Sequence, residues 1–256
     1  MDLGLENRRA LVTGASRGLG RAIASALAAE GADVIAVARS AERLNDLAGA
    51  AREKGKITAH ACDLTDAGAI ANLAPLLERT DVLVLNTGGP PPGPAAEASD
   101  AVWNRQFESI FLSAVRLTRL ALPGMRQRGF GRIIAVVSSG VIQPIPNLGI
   151  SNAVRLAVVG WAKTLAGEVA AHGITVNCLA PGRIATDRVA ELDQGRATRE
   201  GIDLGEVERQ SRAAIPAGRY GEAAEFASMA TYLAGAGASY VTGSVIRVDG
   251  GMIRSV

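Results

Sequence analysis

Short apolar runs alternate along this chain with longer stretches whose apolar positions recur at helical spacing. Ala10–Thr13 reads as a strand, Gly18–Glu30 as a helix closed by Gly31, and Asp33–Ala38 as a second strand. Next come a helix over Ala41–Lys54, a strand over Ile57–Cys62, a helix over Asp66–Glu78 bent near Pro75, and a strand over Asp81–Leu85. Each strand-to-strand step spans about 25 residues, the size of a right-handed crossover unit.

Beyond a Gly/Pro loop at Gly88–Pro94, the pattern predicts one long helix over Asp100–Arg128, interrupted near Pro123. Ile133–Val137 is a continuous run of β-branched weight, as a central parallel strand requires. It stops at Ser138 and Ser139, and a loop with Pro144 and Pro146 leads to a helix over Ser151–Ala171. Ile174–Ala180 and Ser244–Val248 read as strands and Glu222–Leu233 as a helix. The intervening segment 183–217 is polar, charged and poorly periodic. No repeat or linker divides residues 1–256, so the expectation is a single doubly wound α/β domain with seven strands.

Composition narrows the class. The chain is 48% hydrophobic but only 4% aromatic, with 30 glycines, so Ala, Val, Leu and Ile must build the core. A net charge of +2, with both signs spread along the chain, argues against nucleic acid or an anionic membrane as partner. The longest uncharged run, Ile133–Val154, is interrupted by prolines, asparagines, Gln143 and serines, which fits strand, loop and helix rather than a membrane span. The charged start M-D-L-G-L-E-N-R-R has no apolar signal region. Cys62 and Cys178 lie in apolar surroundings and read as reduced, buried thiols, so a cytoplasmic location is expected. No metal is expected. The helix after Ser151 is apolar on most sides, which fits a second packing face and a homo-oligomer.

The chemistry is read from the strand ends. T13-G-A-S-R-G-L-G20 follows a strand and opens a helix, the context in which glycines let the backbone approach a pyrophosphate at a helix N-terminus. Ala38 stands where an NAD-preferring site carries an acid, with Arg39 beside it and Arg17 in the glycine loop. Two guanidinium groups suit a 2′-phosphate, so the cofactor expected is NADP(H). Asp63 is placed for the adenine amino group, and Asn86-Thr-Gly-Gly89 is a further close-approach loop.

These motifs, together with V-N-C-L-A-P-G-R-I-A-T (176–186), I-P-A-G-R-Y-G-E (215–222) and S-Y-V-T-G-S-V-I-R-V-D-G-G (239–251), make the chain resemble the short-chain dehydrogenase/reductase family. The subgroup it looks most like is the 3-oxoacyl-carrier-protein reductases. The resemblance implies a Rossmann-type sheet of order 3-2-1-4-5-6-7, a substrate lid in 183–217, and a dimer or tetramer built on the two long helices. It implies that Gly14, Ser16, Arg17, Gly18, Leu19, Gly20, Arg39, Asp63, Leu64, Asn86, Gly88, Arg155, Pro181, Gly182, Ile184 and Thr186 line the cofactor. The substrate implied is a small carbonyl compound or an acyl thioester.

The catalytic set departs from the family. Ser138 matches the serine that polarises the carbonyl. The proton-donating Tyr, thirteen residues on, is Ser151, and the Lys four beyond it is Arg155. The supporting Asn falls on Ile110. An alkyl hydroxyl is a far weaker acid than a phenol, and a guanidinium cannot pass a proton on. Tyr220, His60 and His172 read as structural; Asp187 and Arg188 read first as surface charge near the site, the alternatives being a lid side chain that swings over the substrate, or an anionic substrate group held by Arg155 or lid arginines. Two readings stay open: an NADP(H)-dependent oxidoreductase with an atypical proton donor, or a cofactor-binding sensor or scaffold without turnover.

Overall fold

The fold was examined in a computed structural model that describes residues 2–50 and 54–255. Seven strands form one sheet of order β3-β2-β1-β4-β5-β6-β7, and every neighbouring pair is parallel. They are β1 (Arg9–Thr13), β2 (Asp33–Ala38), β3 (Ile57–Ala61), β4 (Val82–Leu85), β5 (Gly131–Val136), β6 (Ile174–Pro181) and β7 (Val245–Val248). The central strands are buried on both faces, which explains their unbroken apolar runs.

Two cores sandwich the sheet. On one side α1 (Gly18–Ala29), α2 (Ala41–Ala50) and α10 (Ala223–Ala234) pack around Ile23, Leu27, Leu44 and Phe226. On the other, α3 (Ala67–Ala71), α4 (Ala74–Leu77), α5 (Asp100–Phe107), α6 (Ser113–Arg128) and α7 (Gly149–Val169) surround Leu73, Leu117, Ile133 and Val158. The order reverses between β1 and β4, so a crevice opens at their carboxyl ends, where open α/β sheets bind ligands.

Four local expectations are corrected. The helix over Asp66–Glu78 is two short helices, with Pro75 in the first turn of the second, a position where its missing N–H costs nothing. Of the predicted helix over Ala41–Lys54, α2 spans Ala41–Ala50; residues 51–53 lie outside the described residues, and Lys54 is not helical. The long helix is interrupted at Glu108–Leu112, a π-helical turn, not at Pro123. Pro123 is exposed within α6, so the Arg119 carbonyl it deprives of a partner faces water.

The fourth correction concerns 183–217. It folds as α8 (Asp187–Glu200) and α9 (Leu204–Ala213). Its periodicity lies in charge rather than apolarity: Arg196–Glu200 and Arg212–Glu208 pair four residues apart and Arg209–Glu206 three apart. Asp203 caps α9 by accepting from the Gly205 amide at 2.8 Å. Cys62 and Cys178 are buried and unpaired with each other. Among the described residues, no helix is long and apolar enough to cross a membrane.

Candidate active site

The glycine loop is built by close approach. Gly14 and Gly18 have φ of +60° and +53°, and a Cβ on Gly20 would lie 2.3 Å from the Gly14 carbonyl oxygen. The loop is tied to the end of β4. Asn86 donates its backbone N–H to Thr13 Oγ1 at 2.8 Å and its side-chain amide to the Gly14 carbonyl at 3.3 Å. Asn86 therefore holds the loop in shape. The residue before α1, Arg17, is extended and makes no side-chain cap, which leaves the first N–H groups of α1 free for an anion.

At the adenosine end, Asp63 Oδ1 accepts from both the backbone and the hydroxyl of Thr65 at 2.9 Å. Those hydrogen bonds, the backbone one first, hold its carboxyl below the usual range, and the nearby Arg39 charge adds to the effect. Arg39 is exposed beside the buried Ala38. Arg17 points across the crevice instead, to Glu191 at 3.2 Å and Asp187 at 3.6 Å on α8. Leu64 packs against the core. Ser16, Leu19 and Gly88 border the crevice at partly or fully exposed positions.

The catalytic end is organised around the last residues of β5. Ser138 caps a short 3₁₀ turn, and its Oγ accepts from the Gly140 amide at 3.1 Å. With the acceptor side used, the hydroxyl proton is free to donate. Asn152 fastens the following loop to α7, with Nδ2 donating to the Ile145 carbonyl at 2.9 Å and Oδ1 accepting from its amide at 3.3 Å. Ser151 and Arg155 lie one helical turn apart on α7 and are both 7% exposed. Arg155 donates to the Val136 carbonyl at 2.7 Å and to the Thr87 carbonyl at 3.4 Å. Among the described residues, no carboxylate lies within ion-pair reach of it. Burial, and then the charge of Arg188, pushes its pKa down to about 10.

Below Arg155 lies a cavity with about 10 Å³ of room for a water, bordered by Thr13, Thr87, Ile110 and Ser113. That is about the minimum for one molecule. The Thr87 hydroxyl in its wall is buried without a partner. Ile110 sits on the π-helical turn and supplies no polar group, although such turns favour functional sites.

On the far side of the crevice, β6 ends at Pro181. Gly182 admits no side chain because Asp249 would be 2.6 Å from its Cβ. Ile184 is buried, and Thr186 precedes α8 with its methyl group 3.6 Å from where a Gly18 Cβ would sit. Arg188, read from the sequence as surface charge, is instead an inner wall of the site. It donates to the Pro90 carbonyl at 2.6 Å and lies against Gly89. Only a register of α8 against the 87–90 loop reveals this, and a polar helix carries no signal for it. Tyr220 is a fastening: its hydroxyl donates to the buried Asp193 at 2.7 Å, and Asp193 also accepts from Arg183.

The glycine cradle, the uncapped start of α1 and the unpartnered Thr87 hydroxyl fit a nicotinamide dinucleotide stretched across the crevice. Fold and site thus define a dinucleotide-binding protein of the Rossmann class. The family described as enoyl-(acyl carrier protein) reductase matches residues 14–253. The chain is 38% identical to the 3-oxoacyl-[acyl-carrier-protein] reductase FabG of Salmonella typhimurium, over 98% of this chain and 99% of that one. L-sorbose reductase from Gluconobacter frateurii, solved with NADPH and L-sorbose, superposes with a TM-score of 0.94 at 32% identity, covering 100% of both chains. YwfH, an NADPH-dependent reductase of bacilysin biosynthesis, gives 0.90 at 30% identity over 98% of this chain and 100% of its own. The chain belongs to the short-chain dehydrogenase/reductase family.

Proposed function

We propose that the protein is an NADP(H)-dependent oxidoreductase that interconverts a carbonyl and an alcohol without a tyrosine acid. The cofactor, when bound, supplies or accepts the hydride. Relatives that use NADPH, and Arg39 at the edge of the adenosine site, support the choice of NADP(H). We assign the cofactor to the residues expected along it, from Gly14 to Thr186, with α8 and α9 as the lid.

One observation carries the reading: the buried Arg155 donates to the Val136 carbonyl, two residues before Ser138. The Ser138 hydroxyl donates to the substrate oxygen. The fixed charge of Arg155, little screened by solvent, lowers the cost of negative charge developing on that oxygen. Ser151 donates a second hydrogen bond but is too weak an acid to give up its proton near neutral pH. The proton comes from water, so turnover is slow rather than absent. Losing a positioned general acid typically costs about 10²–10⁴-fold.

The test is NADPH oxidation by the purified protein with a panel of small ketones, oxo acids and 3-oxoacyl thioesters. Slow oxidation that falls at least tenfold in Ser138→Ala supports the reading. Tight NADPH binding with no oxidation above background sinks it and leaves a cofactor-binding sensor or scaffold.

We also propose a homo-oligomer that covers α5 and α7. Phe107, Phe111 and Trp161 form an aromatic stack there, with Phe107 40% and Leu156 53% exposed.

A further inference from the structure

Arg155 makes hydrogen bonds only to neutral carbonyl groups, and an isolated buried charge is costly. A second guanidinium reaches the same place from the opposite side. Arg155 on α7 is fastened to Thr87 and Arg188 on α8 to Pro90, so both are anchored on one four-residue segment. The charge of Arg188 disfavours that of Arg155. The acids nearby are shared with a third arginine. Glu191 lies 3.7 Å from Arg188 but 3.2 Å from Arg17, and Asp187 faces Arg17 at 3.6 Å. Among the described residues these two acids pair with Arg17 and Arg188, and Arg155, the buried member, has no acid partner.

We propose that Arg155 and Arg188 bind the carboxylate of an acidic carbonyl substrate, so that the substrate class is an oxo acid or hydroxy acid. This rests on the oxidoreductase reading above. A planar carboxylate matches guanidinium donors, and it completes the charge balance the protein leaves open. The cofactor's diphosphate is the other anionic group available. It has its own seat at the uncapped start of α1. Arg155 is instead hydrogen-bonded to the last residue of β5, two positions before the Ser138 to which the oxidoreductase reading assigns the reacting carbonyl. A carboxylate attached to that carbonyl falls within the field of both arginines.

The experiment uses the intact protein saturated with NADP⁺, which cannot reduce a ketone. Calorimetric titration compares 2-oxobutanoate with its methyl ester at low ionic strength. The acid should bind at least tenfold tighter than the ester, and Arg188→Gln should bring the two within threefold. Arg155→Lys, which keeps the charge, should retain most of the preference, with the thermal midpoint measured to verify folding. Three results overturn the proposal: acid and ester within threefold in the unmodified protein, an unchanged preference in Arg188→Gln, or acid binding that vanishes when NADP⁺ saturates. The last would assign the arginines to the cofactor. Failure to bind NADP⁺ at all would instead count against the oxidoreductase reading. It would leave the carboxylate site to be scored by the same titration on the free protein, with the same thresholds.

Discussion

Arg155 Nη1 donates to the carbonyl oxygen of Val136 at 2.7 Å, from one turn beyond Ser151 on α7. This hydrogen bond ties the helix carrying Ser151 and Arg155 to the end of the strand that leads into Ser138.

Restoring that chemistry should restore rate. Ser151→Tyr with Arg155→Lys places a phenol and a lysine at the family's spacing. Ketone reduction should rise about 10²–10⁴-fold, the usual contribution of general acid catalysis. Steady-state kinetics on the double variant check this. A fall in rate would mean that the pocket excludes a phenol ring.

The glycine loop admits no side chain at Gly20, where a Cβ would meet the Gly14 carbonyl at 2.3 Å. Gly20→Ala should force the loop away from β4, weaken NADPH by more than tenfold, and destabilise the fold by about 1–3 kcal/mol. Fluorescence titration and denaturant unfolding read the two effects separately.

Cofactor choice should respond to Arg39, the exposed cation beside Ala38. Arg39→Ala should weaken NADPH at least tenfold and leave NADH nearly unchanged. Equal binding of both by the unmodified protein would remove the basis for the 2′-phosphate reading. Glu191→Gln should strengthen NADPH modestly, because it releases Arg17 from its closest ion pair.

The Asp193 carboxylate is 1% exposed and is shared by Arg183 and Tyr220. Asp193→Asn leaves the Arg183 charge poorly compensated at the root of α8, which should cost about 3 kcal/mol. The thermal midpoint should fall by several degrees, and NADPH affinity with it if α8 closes the crevice.

Stability should fall in alkali through Cys178. Burial pushes its thiol up to about 12 from an ordinary 9.0. Between those values the folded thiol keeps a proton that the unfolded chain loses. Stability from this group is full below pH 9.0 and is lost as pH rises toward 12. Urea midpoints between pH 8.5 and about 10.5 should fall more steeply for the native protein than for Cys178→Ala, by up to about 1.4 kcal/mol per pH unit. At pH 8 the folded protein's Cys178 should resist alkylation.

The sheet and the cofactor end were legible in the chain because their signals are local. A strand buried on both faces must be apolar, and a tight turn under a helix start must be glycine, so β4, β5 and the 13–20 loop follow from residue type. Ser138, Ser151 and Arg155 were located by spacing along a single strand, loop and helix. Tertiary structure decided what that spacing cannot carry. It placed the π-helical turn at Glu108–Leu112, where an extra residue is accommodated with no distinctive composition. It turned the charged 183–217 segment into two helices held by ion pairs rather than by an apolar stripe. It fastened Arg155 and Arg188, residues from different helices, to one loop. A charge on a polar helix looks alike in sequence whether it faces water or a crevice, and only packing tells the two apart.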